Sequence, residues 1–344
     1  MTIFTPPHLP KGFKIVALAG GVGGAKLAYG LAQVIPSSDL TVVVNVGDDF
    51  EHYGLKICPD LDTVCYTLAG LANPQTGWGL KDDSDNALQA ASALGGPGWF
   101  KLGDRDLGTH LERTRRLRLG QPLSQVTREF CKSWGITANI LPATDDLVPT
   151  IVRTPQGDLS FQDYFVRQHC APRVTGFLYL NAGSSSPAPG VKEALNEASL
   201  VIFCPSNPFV SLDPILALPE IQQSLRARRR VGMAVIAVSP IIGGETVKGP
   251  AAKMFAELGI EPSALAVARH YASLLDGFVL DRVDACLVDQ IAALKIQTLE
   301  TNTLMTTPGE RSRLGGEVVF FGLSLLQAGE LTLFHQDGKM KENG

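Results

Sequence analysis

The segment KIVALAGGVGGAKLAYGL, residues 14–31, places four glycines between an apolar run and a pattern typical of a helix. Glycines let backbone N–H groups approach an anion, and the helix that follows directs its positive end to the same place. Lys26 adds a cation just behind the glycines. The segment therefore predicts a phosphate-binding turn, with a plain tight strand-to-helix turn as the alternative.

The turn fits neither of the two common phosphate-binding motifs. A P-loop counted from Gly20 would have Ala25 where a glycine belongs and Leu27 where the serine or threonine that binds Mg²⁺ belongs. The dinucleotide fingerprint fits at Gly21 and Gly23, but Lys26 occupies the place of the third glycine. The sequence thus argues against a P-loop NTPase and leaves the ligand of the turn open.

Strand and helix patterns alternate along the rest of the chain. Continuous apolar, β-branched runs suit strands that are buried on both faces of a parallel sheet. They occur at Lys14–Ala19, Leu40–Val46, Leu200–Cys204, Val231–Val238 and Gly277–Leu280. Helical patterns occur at Ala25–Val34, Pro214–Arg228, Pro250–Leu258 and Ser263–Leu274. This alternation predicts an α/β fold, Rossmann-like and doubly wound around a mainly parallel sheet.

We predict one α/β domain over residues 13–335 with two insertions. Residues 63–134 have mostly helical patterns, and residues 150–180 contain short alternating stretches joined by the turn sequence TPQGD. The first insertion is therefore expected to be helical and the second to be a small β-rich unit. The two ends, residues 1–12 and 336–344, are polar or proline-rich and are predicted to be flexible.

The composition limits the classes of protein to be considered. The chain has 344 residues, 45% of them hydrophobic, and a formal net charge of −4, which supplies a sizeable core. The near-neutral balance argues against a nucleic-acid or membrane partner. No apolar run approaches the roughly 18 residues of a membrane span. Six scattered cysteines without a C-x-x-C pair, and no signal-peptide pattern, predict a cytoplasmic protein with free thiols.

Carboxylates gather after the second predicted strand. The segment TVVVNVGDDFEHYGLKICPDLDT, residues 41–63, places Asn45, Asp48 and Asp49 at the strand's end and Asp60 and Asp62 shortly after it. Carboxylates facing a phosphate turn repel the substrate unless a cation lies between them, and oxygen ligands completed by substrate phosphates suit Mg²⁺. We therefore predict that Asp48 and Asp62 are catalytic and bind magnesium. For Asp60 the pattern suits a helix cap and a site residue equally.

Nine segments in order along the chain match one known family. They are GGVGGAKL, TVVVNVGDD, PDLDTVCYTLAG, WFKLGDRDLGTHLERTRRLRLG, ANILPATDD, FQDYFV, PSNPFVSLDPILALP, AVSPIIGGETVKGPAAKM and TNTLMTT. In these segments the chain resembles the 2-phospho-L-lactate transferase family of coenzyme F-420 biosynthesis, from about Lys14 to Leu326. One departure is Asn302, where the family has Asp before Thr-Leu-Met. That departure weakens any role for this position.

The resemblance implies a magnesium-dependent phosphotransferase that is a homodimer. In this family a phospho-lactyl or phospho-enolpyruvyl group passes from its guanosine diphosphate conjugate to a ribityl hydroxyl of 7,8-didemethyl-8-hydroxy-5-deazariboflavin, and GMP is released. Displacement at a diphosphate requires positioning and charge neutralisation, which a metal ion, a lysine and amide donors supply. The glycine turn is then expected to hold the donor's diphosphate. The sequence does not distinguish a lactyl from an enolpyruvyl donor.

The remaining site residues fall into two groups. The acceptor deazaflavin is expected at Asp62 and Lys101, the latter in the segment FKLGDRD. Lys248 and the basic run 113–118 suit solvated surface, and His110 suits a structural role. The nucleotide and its diphosphate are expected at three turns that follow strands, at Gly21, Gly23, Gly24, Lys26, Ser206, Asn207, Gly243 and Gly244.

Two other functions are compatible with parts of the sequence. The first glycines and Asp48 alone would suit an NAD(P)-dependent oxidoreductase. A similar glycine turn and core occur in non-catalytic regulators that bind nucleotide sugars. The segments FKLGDRD and PDLDT favour the transferase over both. We therefore expect small-molecule substrates and Mg²⁺ as the cofactor.

Overall fold

Fourteen strands occur in the computed structural model, which describes residues 9–341 and the side chains of residues 9–327. In chain order they are β1 (Ile15–Ala19), β2 (Leu40–Val44), β3 (Phe50–His52), β4 (Leu55–Ile57), β5 (Asn139–Pro142), β6 (Thr150–Thr154), β7 (Gly157–Ser160), β8 (Gly176–Tyr179), β9 (Leu200–Phe203), β10 (Ala234–Val238), β11 (Ile241–Ile242), β12 (Glu245–Thr246), β13 (Gly277–Asp281) and β14 (Gln297–Thr301). Seven of them form one central sheet.

Twelve α-helices surround the strands in the described range. They are α1 (Gly21–Val34), α2 (Pro59–Leu68), α3 (Asn86–Ala93), α4 (Asp104–Arg118), α5 (Leu123–Ser133), α6 (Val191–Glu197), α7 (Asp213–Leu216), α8 (Pro219–Arg229), α9 (Ala251–Glu257), α10 (Ala264–Tyr271), α11 (Val288–Ala292) and α12 (Pro308–Lys341). Within this range no helix combines the length and the apolar character that a membrane crossing requires.

The central sheet is parallel throughout, in the order β14-β13-β10-β9-β1-β2-β5. Strands β1, β9, β10 and β13 are buried along their whole length, as expected for strands covered by helices on both faces. The chain builds the sheet outward from β1 in one direction and then from β9 in the other. The predicted Rossmann-like, doubly wound fold is confirmed, and its switch point lies between β1 and β9, where ligands bind in such folds.

The two insertions have the predicted character. Four helices, α2 to α5, account for most of residues 63–134, and β6, β7 and β8 form a three-stranded antiparallel sheet. A hairpin of β3 and β4 precedes the helical part and was not predicted from the sequence. Of the predicted flexible ends, residues 1–8 and 342–344 lie outside the described residues, and residues 336–341 belong to α12.

Helix α12 crosses α1 in a close backbone contact at Gly30 of α1 and Gly315 of α12. A Cβ at Gly30 would overlap the backbone carbonyl of Arg311, and a Cβ at Gly315 would lie 2.8 Å from the carbonyl carbon of Gly30. Both helices follow strands of the parallel sheet, so both begin at its carboxyl edge. This crossing fixes the first turn of α12 beside the middle of α1.

Candidate active site

The glycine turn joins β1 to α1 at the switch point of the sheet. The Gly20 N–H donates to Ser206 Oγ (3.1 Å), and that hydroxyl donates to the Gly20 carbonyl (2.8 Å). Gly21 has φ +62°, a left-handed conformation that favours glycine. Ser206, predicted to bind nucleotide, therefore uses its hydroxyl to hold the turns after β1 and β9 together.

Two glycines of the turn are required by packing. A Cβ at Gly23 would overlap the Pro205 carbonyl oxygen, and a Cβ at Gly24 would lie 2.5 Å from Ser206 Oγ. Their absent side chains let α1 approach the turn after β9. The sequence predicted a phosphate-binding turn with a plain tight turn as the alternative, and this packing requires the two glycines in either case. A larger residue at Gly23 would displace the turn itself, whatever the ligand.

Asp60 occupies the N-terminus of α1. Its Oδ1 accepts from the Gly21 N–H (2.6 Å), and its Oδ2 accepts from Asn45 Nδ2 (2.9 Å). The same Asn45 amide donates to the Val210 carbonyl, and its oxygen accepts from the Gly47 N–H. Asp60 is not the N-cap of its own helix α2, a position that Cys58 holds, and its carboxylate lies instead at the N-terminus of α1. Its role at the site stays a prediction.

Asp48, Asp49 and Asp60 are all buried and lie together at the carboxyl end of β2. We call these three residues the carboxylate group. Burial raises the pKa of Asp48 well above its usual range, and the charges of Asp60 and Asp49 raise it further. Burial likewise raises the pKa of Asp60 to about 6, against the hydrogen bonds from Asn45 and Gly21. The charged forms of these carboxylates are therefore unfavourable, and a bound cation would stabilise them.

The free oxygens of this carboxylate group are suitable ligands for a hard cation. Among the described residues, Asp48 Oδ1 and Asp49 Oδ1 are buried without a hydrogen-bond partner. The other oxygen of Asp49 accepts from Lys56 Nζ (3.1 Å) and Cys58 Sγ (3.1 Å). No group of three or more His, Cys, Asp or Glu side chains in the described part is arranged to hold a metal ion. Mg²⁺ commonly uses only one or two protein carboxylates and takes its other ligands from water and substrate phosphates, so its binding here stays a prediction.

Asp62 has a different environment from the one predicted. Both of its carboxylate oxygens accept from the Arg113 guanidinium, through Nη1 (3.0 Å) and Nη2, and His110 Nδ1 lies 3.7 Å from Oδ2. Arg113 is only 2% exposed, so its assignment to a solvated helix face was wrong, while the structural role expected for His110 fits. The role of Asp62 in metal binding stays a prediction, but its oxygens are already occupied by a buried ion pair.

The segment before α4 carries an aromatic cluster and Lys101. Trp99 and Phe100 pack against the β3–β4 hairpin, with Trp99 5.1 Å from the His52 ring and Phe100 4.8 Å from the Phe50 ring. The Lys101 side chain is 68% exposed, and its Nζ lies 3.9 Å from Asp85. The acceptor role of Lys101 stays a prediction. Sequence reasoning missed the hairpin rings, because Phe50 and His52 follow the carboxylates without a motif of their own.

The later turns meet the same edge of the sheet. The Gly243 N–H donates to both carboxylate oxygens of Asp284 (3.1 Å each), and both Gly243 and Gly244 have positive φ. The Asn207 side chain accepts from the Phe209 N–H and caps the short helical turn that follows β9. The sequence did not indicate Asp284, which lies 41 residues beyond its partner.

Lys26 lies half-buried on α1, away from the carboxylate group. Burial lowers its pKa, as do the positive charges of Arg311 and Lys248, while Glu310 acts in the opposite direction. The N-terminus of α1 therefore has a negative side at Asp60 and a positive side at Lys26. A metal-bound phosphate chain matches this distribution of charge.

We expect the metal-free protein to lose stability as the pH rises through about 6. The pKa of Asp60 is raised from 3.8 to about 6 in the fold, so its stabilising contribution is complete below pH 3.8 and is lost as the folded carboxyl ionises. The difference in unfolding free energy between the wild type and Asp60→Asn should change by on the order of 1–3 kcal/mol between pH 4 and pH 7. Urea unfolding in chelator measures it. A difference that stays constant with pH would show that Asp60 has an ordinary pKa.

Comparisons with known proteins identify the family to which the chain is similar. A family model described as 2-phospho-L-lactate transferase CofD matches residues 15–310. The phosphoenolpyruvate transferase of Streptomyces griseus is 44% identical over 299 residues, covering 85% of this chain and 93% of that protein. That of Thermobifida fusca is 41% identical over 327 residues, covering 91% and 98%. A crystal structure of a UPF0052 family member from Bacillus halodurans aligns with a TM-score of 0.57 at 14% identity, over 90% of this chain and 100% of that one, which supports the fold alone.

Proposed function

Since the chain belongs to the 2-phospho-L-lactate transferase family, we propose that it transfers a phospho-enolpyruvyl group from a guanosine diphosphate conjugate to the ribityl hydroxyl of 7,8-didemethyl-8-hydroxy-5-deazariboflavin. The product GMP leaves. The names of the relatives favour enolpyruvyl over lactyl as the acid. The single observation that carries the proposal is the distribution of charge around the N-terminus of α1. Asp48 and Asp60 form its negative side, and Lys26 forms its positive side.

The chain's own residues would act by positioning and by charge. The free backbone N–H groups and the positive end of α1 attract the donor's phosphates. Asn45 and Gly21 hold the Asp60 carboxylate in place through hydrogen bonds of 2.9 and 2.6 Å. The ribityl oxygen forms a bond to the acid-bearing phosphorus, and the bond from that phosphorus to the bridging oxygen breaks with its electrons staying on GMP. The hydroxyl proton passes to water or to the phosphate of the departing GMP.

Asp48 and Asp60 would hold Mg²⁺. Their burial, their mutual repulsion and the unpartnered Asp48 Oδ1 fit a cation. Asp60 accepts from the neutral Gly21 N–H and Asn45 amide, whereas the charge of Asp62 is already neutralised by the Arg113 guanidinium. When bound, Mg²⁺ supplies charge neutralisation to the diphosphate of the donor and to the leaving GMP.

The acceptor would lie on the side of the aromatic cluster. Trp99 and Phe100 with Phe50 and His52 offer ring faces and edges that suit a flat tricyclic molecule. Lys101 directly follows these rings in the chain and carries an exposed ammonium group. We also propose a cytoplasmic homodimer, as the family implies, and light scattering on the purified protein tests the number of subunits.

The experiment is an assay of the purified protein with the deazaflavin and each of the two guanosine diphosphate conjugates, enolpyruvyl and lactyl. Mass spectrometry is expected to detect the enolpyruvyl product together with an equal amount of GMP, and chelation of magnesium should abolish both. Nucleotide binding without a product from either donor would contradict the proposal. It would favour a non-catalytic nucleotide-binding protein of the same fold.

A further inference from the structure

Three cations from three separate elements converge beside α1. Lys26 belongs to α1, Lys248 follows β12, and Arg311 lies in the first turn of α12. Burial lowers the pKa values of Lys26 and Arg311, and the pKa of Lys26 is lowered further by the positive charges of Arg311 and Lys248. The half-buried Lys26 ammonium is therefore repelled by the charges of both Arg311 and Lys248. An arrangement of this kind is stabilised when an anion binds.

These cations lack carboxylate partners. Within the described part of the chain, none of the three forms an ion pair, and Arg311 Nε is buried without a hydrogen-bond partner. The Arg311 guanidinium lies 5.4 Å from the centre of the Tyr29 ring, which orients it without neutralising it. Lys248 Nζ donates only to the Thr76 carbonyl. The positive charge of the cluster is therefore available to a ligand.

Glu310, the carboxylate whose charge acts on Lys26, is already engaged at the start of α12. Glu310 Oε2 accepts from the backbone N–H groups of Thr306 and Thr307, both at 2.8 Å, and from their hydroxyls. It therefore caps the first turn of α12, and these bonds lower its pKa to about 2. Glu310 reduces the net charge of the cluster but does not bind the cations directly.

The fold places the three cations along one face of α1. The glycine crossing of α1 and α12 sets the Arg311 backbone against Gly30, one turn along α1 from Lys26. Val22, one turn before Lys26, packs against Gly77, and the same loop accepts the hydrogen bond from Lys248 at Thr76. Lys248 and Arg311 are thus held beside the helix face that carries Lys26, near Val22 and near Tyr29 respectively.

We propose that Lys26, Lys248 and Arg311 together bind the diphosphate of a nucleoside diphosphate ligand. This inference rests on the proposed function and adds Arg311 and Lys248, neither of which was among the site residues identified from the sequence. Arg311 supplies a planar guanidinium that pairs with two phosphate oxygens, and the lysines supply point charges. The carboxylate group on the other side of α1 then faces the phosphate oxygens that bind the metal ion.

The test is calorimetric titration of GDP and of guanosine into the wild type, Arg311→Met and Lys248→Met, at fixed magnesium. Each variant is expected to raise the dissociation constant for GDP by about tenfold or more, since each loses a charged hydrogen bond. Guanosine affinity should stay unchanged. Arg128→Met, at an exposed arginine of α5, is the matched control and should bind GDP as the wild type does. Lys248 is exposed in a loop, so its variant keeps the test valid if Arg311→Met fails to fold.

The outcomes separate the two proposals. A wild-type protein that forms no product and binds no GDP would overturn the proposed function. A wild type that forms product, together with Arg311→Met and Lys248→Met variants that bind GDP normally, would overturn the inference alone. Variants that bind GDP normally but bind the complete donor weakly would also overturn it, because the cluster would then serve the carboxylate of the donor's acid.

Discussion

Asp48→Asn is expected to lower turnover by about a thousandfold or more without unfolding the protein. Asparagine keeps the size of the side chain but removes the charge that Mg²⁺ requires, and metal-assisted charge stabilisation contributes several kcal/mol to such reactions. The substitution also removes a buried charge that Asp60 and Asp49 repel. Burial and this repulsion together raise the pKa of Asp48 in the metal-free protein. The metal-free variant should therefore be at least as stable as the wild type. Steady-state assays and magnesium titrations measure the two effects.

A surface carboxylate provides the control for this experiment. Asp39 is bonded to Lys14 near the start of β2, far along the sheet from its carboxyl edge. Asp39→Asn should keep wild-type turnover and wild-type magnesium affinity. If Asp48→Asn also keeps its magnesium affinity and loses less than tenfold in turnover, Asp48 is not a metal ligand.

The sequence was sufficient for the fold because its central strands are apolar on both faces. All five predicted strands belong to the parallel sheet, including β1, β9 and β13. Strands β5 and β14 were missed since both lie at sheet edges, where the sequences NILP and QTLET are only partly apolar. The strand predicted to start at Val231 begins at Ala234 instead, because the turn at Gly232, with φ +100°, closes α8 first.

The candidate site was only partly predictable, because its contacts join distant parts of the chain. Short-range patterns located Asp48 and the glycine turn, which follow buried strands directly. They could not show that Asp60 reaches Gly21 or that Asp62 turns toward Arg113, 51 residues later. Adjacent carboxylates on one helix turn point in different directions, and only tertiary packing decides which of them faces the ligand.

The arginines of α4 lie in different environments, which the sequence did not show. In the sequence, four arginines in six residues suggest a solvated helix face. In the structure Arg115 and Arg116 are indeed paired with Glu112 near the surface, but Arg113 points inward to Asp62. A single helix thus carries both surface pairs and one buried pair, and the 3.6-residue period alone does not show what the inner face will meet.

Arg113→Met is expected to destabilise the protein by about 3–5 kcal/mol, the range for breaking a buried ion pair on one side. Methionine fills much of the same volume beside Phe130, so the loss would come mainly from Asp62, which remains buried without its partner. Burial already raises the pKa of Asp62 against the opposing charge of Arg113. Urea unfolding of the metal-free protein measures the effect, and Arg115→Met, at an exposed arginine two residues away, should change stability by less than about 1 kcal/mol.

The double variant Asp62→Asn with Arg113→Met decides what Asp62 does. If the two side chains serve mainly each other, the double variant should lose clearly less stability than the sum of the single variants, because neither charge is left unpaired. Magnesium affinity should then survive in Asp62→Asn, in contrast to Asp48→Asn. If Asp62 is a metal ligand as the sequence predicted, Asp62→Asn would instead lose magnesium affinity. The first result would give Asp62 a structural role, in which its contact with Arg113 joins α2 to α4. Asp60 on the same helix would then face the metal.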